Sequence, residues 1–285
     1  EDHLRFMLDR ITVRSAVFEE QISLLRETLA TVFEGQHDFM EAARMLQAIS
    51  LESGQRSISD NQKLNIYIRI LRCLLEEDEA IEADAYLNRA SHLVTPTTDP
   101  AILVHFKLCQ ARIFDAKRRF LDAGIRYYEL SLMSDHVAAE ERQFCLAAAL
   151  VCAVLAPAGP PRSNFLNTLY KNEATHSLEH FTILEKMFLD RLITPVELEQ
   201  FAATLRPHQM ALLADGTTVL TRAVIEHNVL AASKIFDNIA TETLATLLGL
   251  TPAKAERFAR GMIESGRLMG KIDQVSGIID FASQE

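Results

Sequence analysis

The residues best suited to chemistry in this sequence are His176, Glu179 and His180, in the run His176-Ser-Leu-Glu179-His180. The run matches H-x-x-E-H, in which two histidines one helical turn apart can hold zinc while the glutamate acts as general base. That reading needs both imidazoles on one helix face. It also needs a third protein ligand, and the sequence offers no marked candidate. A solvated helix face is the plainer reading, with a zinc hydrolase as the alternative. The four cysteines, Cys73, Cys109, Cys145 and Cys152, form no C-x-x-C pair and suggest neither a disulfide framework nor a zinc site. No activating base is evident beside them, so they read as small core residues in a reducing, intracellular setting. No G-x-x-x-x-G-K-[ST], G-x-G-x-x-G or G-x-S-x-G occurs, which leaves nucleotide binding and serine hydrolysis without a basis. No catalytic, metal-binding or cofactor-binding residue is expected, and no cofactor.

The elements that would carry such residues follow from composition. Of 285 residues, 10 are Gly and 8 are Pro, roughly half the usual shares of about 7% and about 5%. A chain so poor in turn residues is mostly helix. Lys+Arg 29 against Asp+Glu 39 gives a net charge of −10, which argues against binding nucleic-acid backbones or anionic lipid through bulk charge. The longest apolar run, Phe144 to Ala156, falls short of the about 20 residues that span a bilayer and reads as a buried core helix. The opening EDHLRFMLDR lacks the charge pattern of a secretion signal and reads as the inside of a helix, so the chain is expected to be trimmed from something longer.

Leu4, Leu8, Ile11, Phe18, Ile22, Leu25, Leu29 and Val32 step by fours and threes, with Ser15 in the one gap, and predict one long helix packed on its neighbour. A repeat follows: Phe39-Met-Glu-Ala42 before Leu46, Ala80-Ile-Glu-Ala83 before Leu87, and Phe120-Leu-Asp-Ala123 before Tyr127. The small alanine lets a neighbouring helix approach, and the large residue four on fills the groove beside it. Apolar helices follow at Leu64 to Leu75, Ile102 to Phe114 and Phe144 to Leu155. Helix pairs at a period near 40 indicate a tetratricopeptide-like α-solenoid. Asp99-Pro100, Thr194-Pro195 and Thr251-Pro252 each predict a capped helix start, with Thr194 and Glu197 as a capping box. Ala156 to Pro161 breaks the helices, and Ser53 to Asn61 and Thr95 to Asp99 read as loops.

The glycines crowd the end of the chain. Val219 to Phe236 reads as an amphipathic helix, Asn238 to Ala240 as a short strand, Thr241 as the cap of a helix to Leu248, and Pro252 to about Glu264 as another helix. Leu268 to Ile272 and Val275 to Phe281 then read as a hairpin. Helix, strand, helix, helix, hairpin is the order of a winged helix. DNA binding is a common use of that fold, but the stretch from Gly216 to Glu285 holds seven basic residues and eight acidic ones. Lys254, Arg257 and Arg260 on the third helix face Glu256 and Glu264 there, so phosphate neutralisation has no surplus to draw on.

A solenoid running into a winged helix resembles the PCI-domain family, found in subunits of the proteasome lid, the COP-nine signalosome and translation initiation factor three. The resemblance rests on Leu244-x-x-Leu247-Leu-Gly-Leu250, Ala255-Glu256, Met262-Ile263-x-x-Gly266-Arg-Leu268-x-Gly270-x-Ile272-Asp273 and Gly277-Ile-Ile-Asp-Phe281. Within the family, the signalosome's subunit-four group is most similar, at Glu82 to Ser91, Leu184 to Met187, Leu205 to Gln209 and Ala223 to Asn228. The resemblance covers essentially the whole chain. It implies an α-solenoid over residues 1–211 and the winged-helix part of a PCI domain over 212–285. It also implies more repeats before the start and a further helix after the end, so the sequence is expected to be a fragment. The implied function is a non-catalytic scaffold supporting removal of the ubiquitin-like modifier from cullins, with a proteasome-lid scaffold as the alternative. Implied partners are other PCI subunits, metalloprotease-fold subunits and cullin–RING ligases, in cytoplasm and nucleus, with no nucleic acid and no membrane. The signalosome's catalytic signature needs H-x-H, which is absent here. Winged helices of the family join through their sheets, which points to Leu268, Met269, Lys271 and Ile272, and to Ile278, Ile279 and Phe281, as the assembly edge and its support. The plainer reading is that the apolar members, Ile278 and Phe281 above all, fill the wing's own core.

Overall fold

A computed structural model describes residues 2–14, 17–51, 58–95 and 98–281. The chain divides into two compact units, residues 1–113 with 135–137 and residues 114–134 with 138–285. The first unit holds α1 (Asp2–Thr12), α2 (Glu19–Gly35), α3 (Phe39–Gln47), α4 (Asp60–Glu76), α5 (Ala80–Ser91) and α6 (Pro100–Ala116) as far as Ile113. In the second lie α7 (Phe120–Ser131), α8 (Ala139–Leu155), α9 (Pro160–Tyr170), α10 (Phe181–Phe188) and α11 (Pro195–Ala202), with short 3-10 turns at Glu173–Ser177 and Pro207–Met210. Its winged helix follows as α12 (Val219–Ile235), β1 (Asn238–Ala240), α13 (Thr241–Leu248), α14 (Pro252–Glu264), β2 (Gly270–Asp273) and β3 (Ile278–Phe281). The fold is therefore mostly α, helical repeats followed by a winged helix with a small wing. No helix of the described residues is long and apolar enough to cross a membrane.

Each repeat motif opens a helix at its own first residue: Phe39 starts α3, Ala80 starts α5 and Phe120 starts α7. Ala42, Ala83 and Ala123 are 0% exposed, and Leu46, Leu87 and Tyr127 are buried beside them. These helices pack in pairs, α2 on α3, α4 on α5 and α7 on α8, and in the first unit α3 also packs on α4. A methyl group at the closest approach is what lets two such backbones meet.

The turn before each motif is a second repeat. His37, Asp78 and Arg118 take left-handed φ values of 62°, 58° and 59°. The next residue's N–H then closes on the carbonyl five back: Asp38 on Phe33 at 3.0 Å, Glu79 on Leu74 at 2.9 Å and Arg119 on Phe114 at 2.8 Å. This is the Schellman closure, which satisfies carbonyls that a helix end leaves orphaned. It usually employs glycine, so the turn carries no glycine signal in this sequence.

Several expectations are corrected. The single long N-terminal helix is two, because α1 ends at Thr12 and α2 begins at Glu19. Ile11, Thr12 and Val13 are β-branched in succession and α1 buries no residue fully, so neither propensity nor packing carries the helix onward. Ser15, placed in the seam's gap, lies outside the described residues. The loop expected to Asn61 already gives way to α4 at Asp60, because Ser59 and Gln62 form a capping box with bonds of 3.3 and 3.2 Å. The rest of that loop at 52–57, and 96–97, also lie outside the described residues. Pro100, Pro195 and Pro252 do start helices. Asp99 caps through Ala101 N–H at 3.0 Å, and Glu197 accepts from the Thr194 N–H at 3.0 Å and its hydroxyl at 2.8 Å. Thr251 makes no side-chain cap bond. Nor does Thr241 cap α13; its N–H and hydroxyl both donate to Gly277 O, at 2.8 and 3.0 Å. Finally α12 is not amphipathic. It is buried on nearly all sides, Glu226, His227 and Asn228 included.

Candidate functional site

The wing is a three-stranded antiparallel sheet of order β1–β3–β2. Ile239 and Ile272 both face Ile279, the first from β1 and the second from β2. With Phe281 these side chains make the sheet's inner face, packed on a core of α12, α13 and α14 residues. Lys271 stands opposite Asp280 on the outer face, and Asp273 opposite Ile278. The hairpin turn is held by Asp273, whose carboxylate accepts from Val275 N–H at 2.9 Å and from the Ser276 hydroxyl at 2.7 Å. Gly277 completes the turn at φ 66°, a conformation that suits glycine. Gly270 opens β2 where a Cβ would fall 2.6 Å from Asp280 O, so only glycine lets the strand close on β3 there.

The seven residues singled out from sequence therefore divide. β2 is an edge strand, and it holds Lys271, exposed, and Ile272, half-buried. Met269, just before it, is 64% exposed. Leu268, Ile279 and Phe281 are buried core, and Ile278 is half-buried. β3 is the central strand, so Ile278, Ile279 and Phe281 lie beside the edge rather than on it. Strand order was not readable from the sequence, because either hairpin strand could have paired with β1.

Beneath the wing lies a cluster of polar side chains that sequence reasoning passed over. Glu226 on α12 accepts from Arg267 Nη2 at 3.2 Å, from Arg222 Nε at 3.1 Å and from Ala158 N–H at 3.4 Å, and Arg267 Nη1 adds a closer bond. His227 Nε2 lies 2.8 Å from Arg191 O, so it donates there, and Nδ1 then accepts from Arg162 Nη2 at 3.4 Å. Burial, then the neighbouring Arg162 guanidinium, pushes the His227 pKa down to about 4, opposed by the bond to Arg191 O. Arg162, almost wholly buried on α9, also donates to Ala156 O at 3.2 Å, and burial lowers its pKa to about 10. Asn228 closes both groups of Ile193, accepting its N–H at 3.0 Å and donating to its carbonyl at 3.3 Å. Glu226, His227 and Asn228 stand together inside an otherwise apolar helix, and that run of three was the available signal.

The zinc reading fails on geometry. Ser177 ends a 3-10 turn, Leu178 is extended, and α10 begins only at Phe181, so His176 and His180 do not share a helix. His176 Nε2 is 3.0 Å from Tyr170 O, and His180 Nε2 is 3.0 Å from the Thr204 hydroxyl. Among the described residues no group of three His, Cys, Asp or Glu could hold a metal ion. The four cysteines are buried, and burial is the main cause raising Cys73 to about 12, Cys109 and Cys145 to about 11, and Cys152 well above the ordinary thiol value. Thiols so far from ionisation at neutral pH are poor nucleophiles. On α14, Arg260 pairs with Glu256 and Arg257 lies 3.9 Å from Asp215.

Two family models match the chain: "PSMD12/CSN4, N-terminal" over residues 2–138 and "PCI domain" over residues 183–283. The COP9 signalosome complex subunit 4 of Emericella nidulans is 51% identical over 277 residues, which is 95% of this chain and 68% of that protein. Its counterpart in Dictyostelium discoideum is 48% identical over 97% of this chain and 70% of its own length. The Arabidopsis thaliana protein of the same name is 43% identical over 97% of this chain and 71% of its own length.

Proposed function

Since the chain belongs to the COP9 signalosome complex subunit 4 family, we propose that it serves as a non-catalytic scaffold of that assembly. In this reading the assembly removes a ubiquitin-like modifier from the cullin subunits of cullin–RING ligases. The isopeptidase site sits on another, metalloprotease-fold subunit, and this chain holds surfaces at fixed distances in cytoplasm and nucleus. Residues 1–211 act as the repeat array and 212–285 as the assembling winged helix. The N-terminal family model is shared by name with a second kind of subunit. The signalosome name on the relatives favours this assembly over the proteasome lid.

The observation that carries the reading is the open edge of β2. A strand with one side unpaired offers N–H and C=O groups to another chain. Lys271 is exposed on that strand and Met269 beside its start. Leu268, Ile272, Ile278, Ile279 and Phe281 are its support rather than its contact surface. The test is co-purification of Met269→Asp/Lys271→Ala with the other PCI subunits. Both positions are exposed, so the variant is expected to fold as the parent does and to lose the neighbouring PCI subunit. A folded variant that assembles as before would overturn the wing-edge reading.

A further inference from the structure

Three of the eight prolines follow a threonine, at Thr95-Pro96, Thr194-Pro195 and Thr251-Pro252. A proline holds the residue before it extended and removes the next N–H donor. Both features suit a proline-directed kinase, which takes its substrate as an extended segment. A basic residue three positions after the acceptor is the second feature that such kinases read. Only Thr251 has one: its third neighbour is Lys254, where Thr95 has Thr98 and Thr194 has Glu197.

The three hydroxyls separate in the same way. Thr194 Oγ1 donates to the Glu197 carboxylate at 2.8 Å, and that carboxylate also pairs with Lys186. A carboxylate there repels an incoming phosphoryl group. Thr95 Oγ1 lies 3.4 Å from the hydroxyl of Thr98, a buried residue. Thr251 makes no side-chain hydrogen bond among the described residues, and its backbone is extended at φ −78° and ψ 150°. Thr251, Pro252, Ala253 and Lys254 are all exposed, and the Lys254 ammonium has no partner among the described residues. Gly249, at φ 66°, ends α13 two residues before, so the acceptor stands at a corner between two helices. Extending the segment as far as Lys254 opens only the first turn of α14, where Lys254 N–H and Ala255 N–H both reach Thr251 O at 3.0 Å.

We infer that Thr251 is a phosphorylation site for a proline-directed serine/threonine kinase that reads a basic residue at the third following position. The bond between the γ-phosphorus of ATP and the bridging oxygen breaks, and a bond from that phosphorus to Thr251 Oγ1 forms. The hydroxyl proton passes to the kinase's catalytic base, and ADP leaves. The product carries about −1.5 to −2 charge at neutral pH. It stands beside the unpaired Ala253 N–H, with Lys254 in the same turn, so the phosphate supplies α14 with the cap that the hydroxyl does not. The inference does not depend on the family reading, since it rests on the sequence and exposure of this one corner.

The test incubates the full folded chain with ATP and a cyclin-dependent kinase and maps the phosphate by mass spectrometry. Phosphate is expected on Thr251 and not on Thr194. Thr251→Ala is expected to abolish that phosphopeptide, and Lys254→Ala to slow its formation severalfold or more. Both positions are exposed, and circular dichroism establishes that each variant is folded. The phosphorylated chain is expected to melt at a higher temperature than the unmodified one. The proposal is overturned by no phosphate on Thr251 of the folded chain, by phosphate there only after denaturation, by equal incorporation at Thr194, or by Lys254→Ala reacting as fast as the parent. An unchanged or lower melting temperature overturns the capping role of the phosphate.

Discussion

His227 sits between a guanidinium and a backbone carbonyl; burial and then the guanidinium select the neutral ring, against the pull of the Arg191 carbonyl toward the charged one. Its folded pKa, about 4, lies below the ordinary value of 6.5. Between those two pH values the unfolded chain binds the proton that the folded chain refuses, so stability rises with pH there. The contribution is complete above about pH 6.5 and is lost as pH falls through about 4, with a ceiling on the order of 3 kcal/mol. Urea denaturation at pH 6.5 and at pH 5 is expected to give a clear fall in unfolding free energy for the parent and a shallower one for His227→Gln. Glu226 sets a second expectation. Removing its charge as Glu226→Gln leaves Arg267 and the buried Arg162 without their compensating carboxylate, and breaking a buried pair in this way costs roughly 3 kcal/mol or more. The same denaturation series at pH 7 measures it, and a loss below about 1 kcal/mol would show that solvent already compensates these arginines.

At the scale of elements, the helix pairs are governed by one alanine each. Ala83 is wholly buried against neighbouring helices, so Ala83→Leu must push them apart. Overpacking of this kind costs about 1–3 kcal/mol. Ile81, two residues earlier, is 89% exposed, so Ile81→Leu is expected to be neutral, and thermal melts of the two variants separate packing from helix propensity. The turns feeding these helices are the other half of the element. Left-handed backbone costs an ordinary residue about 1 kcal/mol or more. His37→Gly, at φ 62°, is therefore expected to stabilise the chain by a fraction of that, after the extra freedom glycine brings to the unfolded state. An unchanged or lower melting temperature would mean that the His37 ring, 5.7 Å from Phe39, contributes as much as the strain removes.

The whole molecule is an acidic chain in two compact units whose thiols report on each of them. Cys73 and Cys109 belong to the first unit, Cys145 and Cys152 to the second, and all four are buried. A thiol reagent at neutral pH is expected to leave the native protein unlabelled and to label all four after denaturation. Mass spectrometry through a denaturant series then assigns opening to one unit or the other. Labelling of the native protein at either pair would show that its unit opens readily.

Periodicity and turn chemistry are local properties of a chain, and what they govern was legible from residues alone. The spacing of Ala42, Ala83 and Ala123 located three helices, because a residue that must be small recurs wherever one unit meets the next. The prolines at 100, 195 and 252 located three more, and the glycine-rich end disclosed the wing. Three features came only from the folded arrangement. The pairing order that puts β2 on the edge and β3 in the middle depends on which strand reaches β1, a contact between residues some forty positions apart. His176 and His180 lie on separate elements and turn to the Tyr170 carbonyl and the Thr204 hydroxyl, partners outside the five-residue run itself. The burial of Glu226, His227 and Asn228 depends on partners from α9, from the segment after α10 and from the residues before β2, and no window of neighbouring residues contains that information.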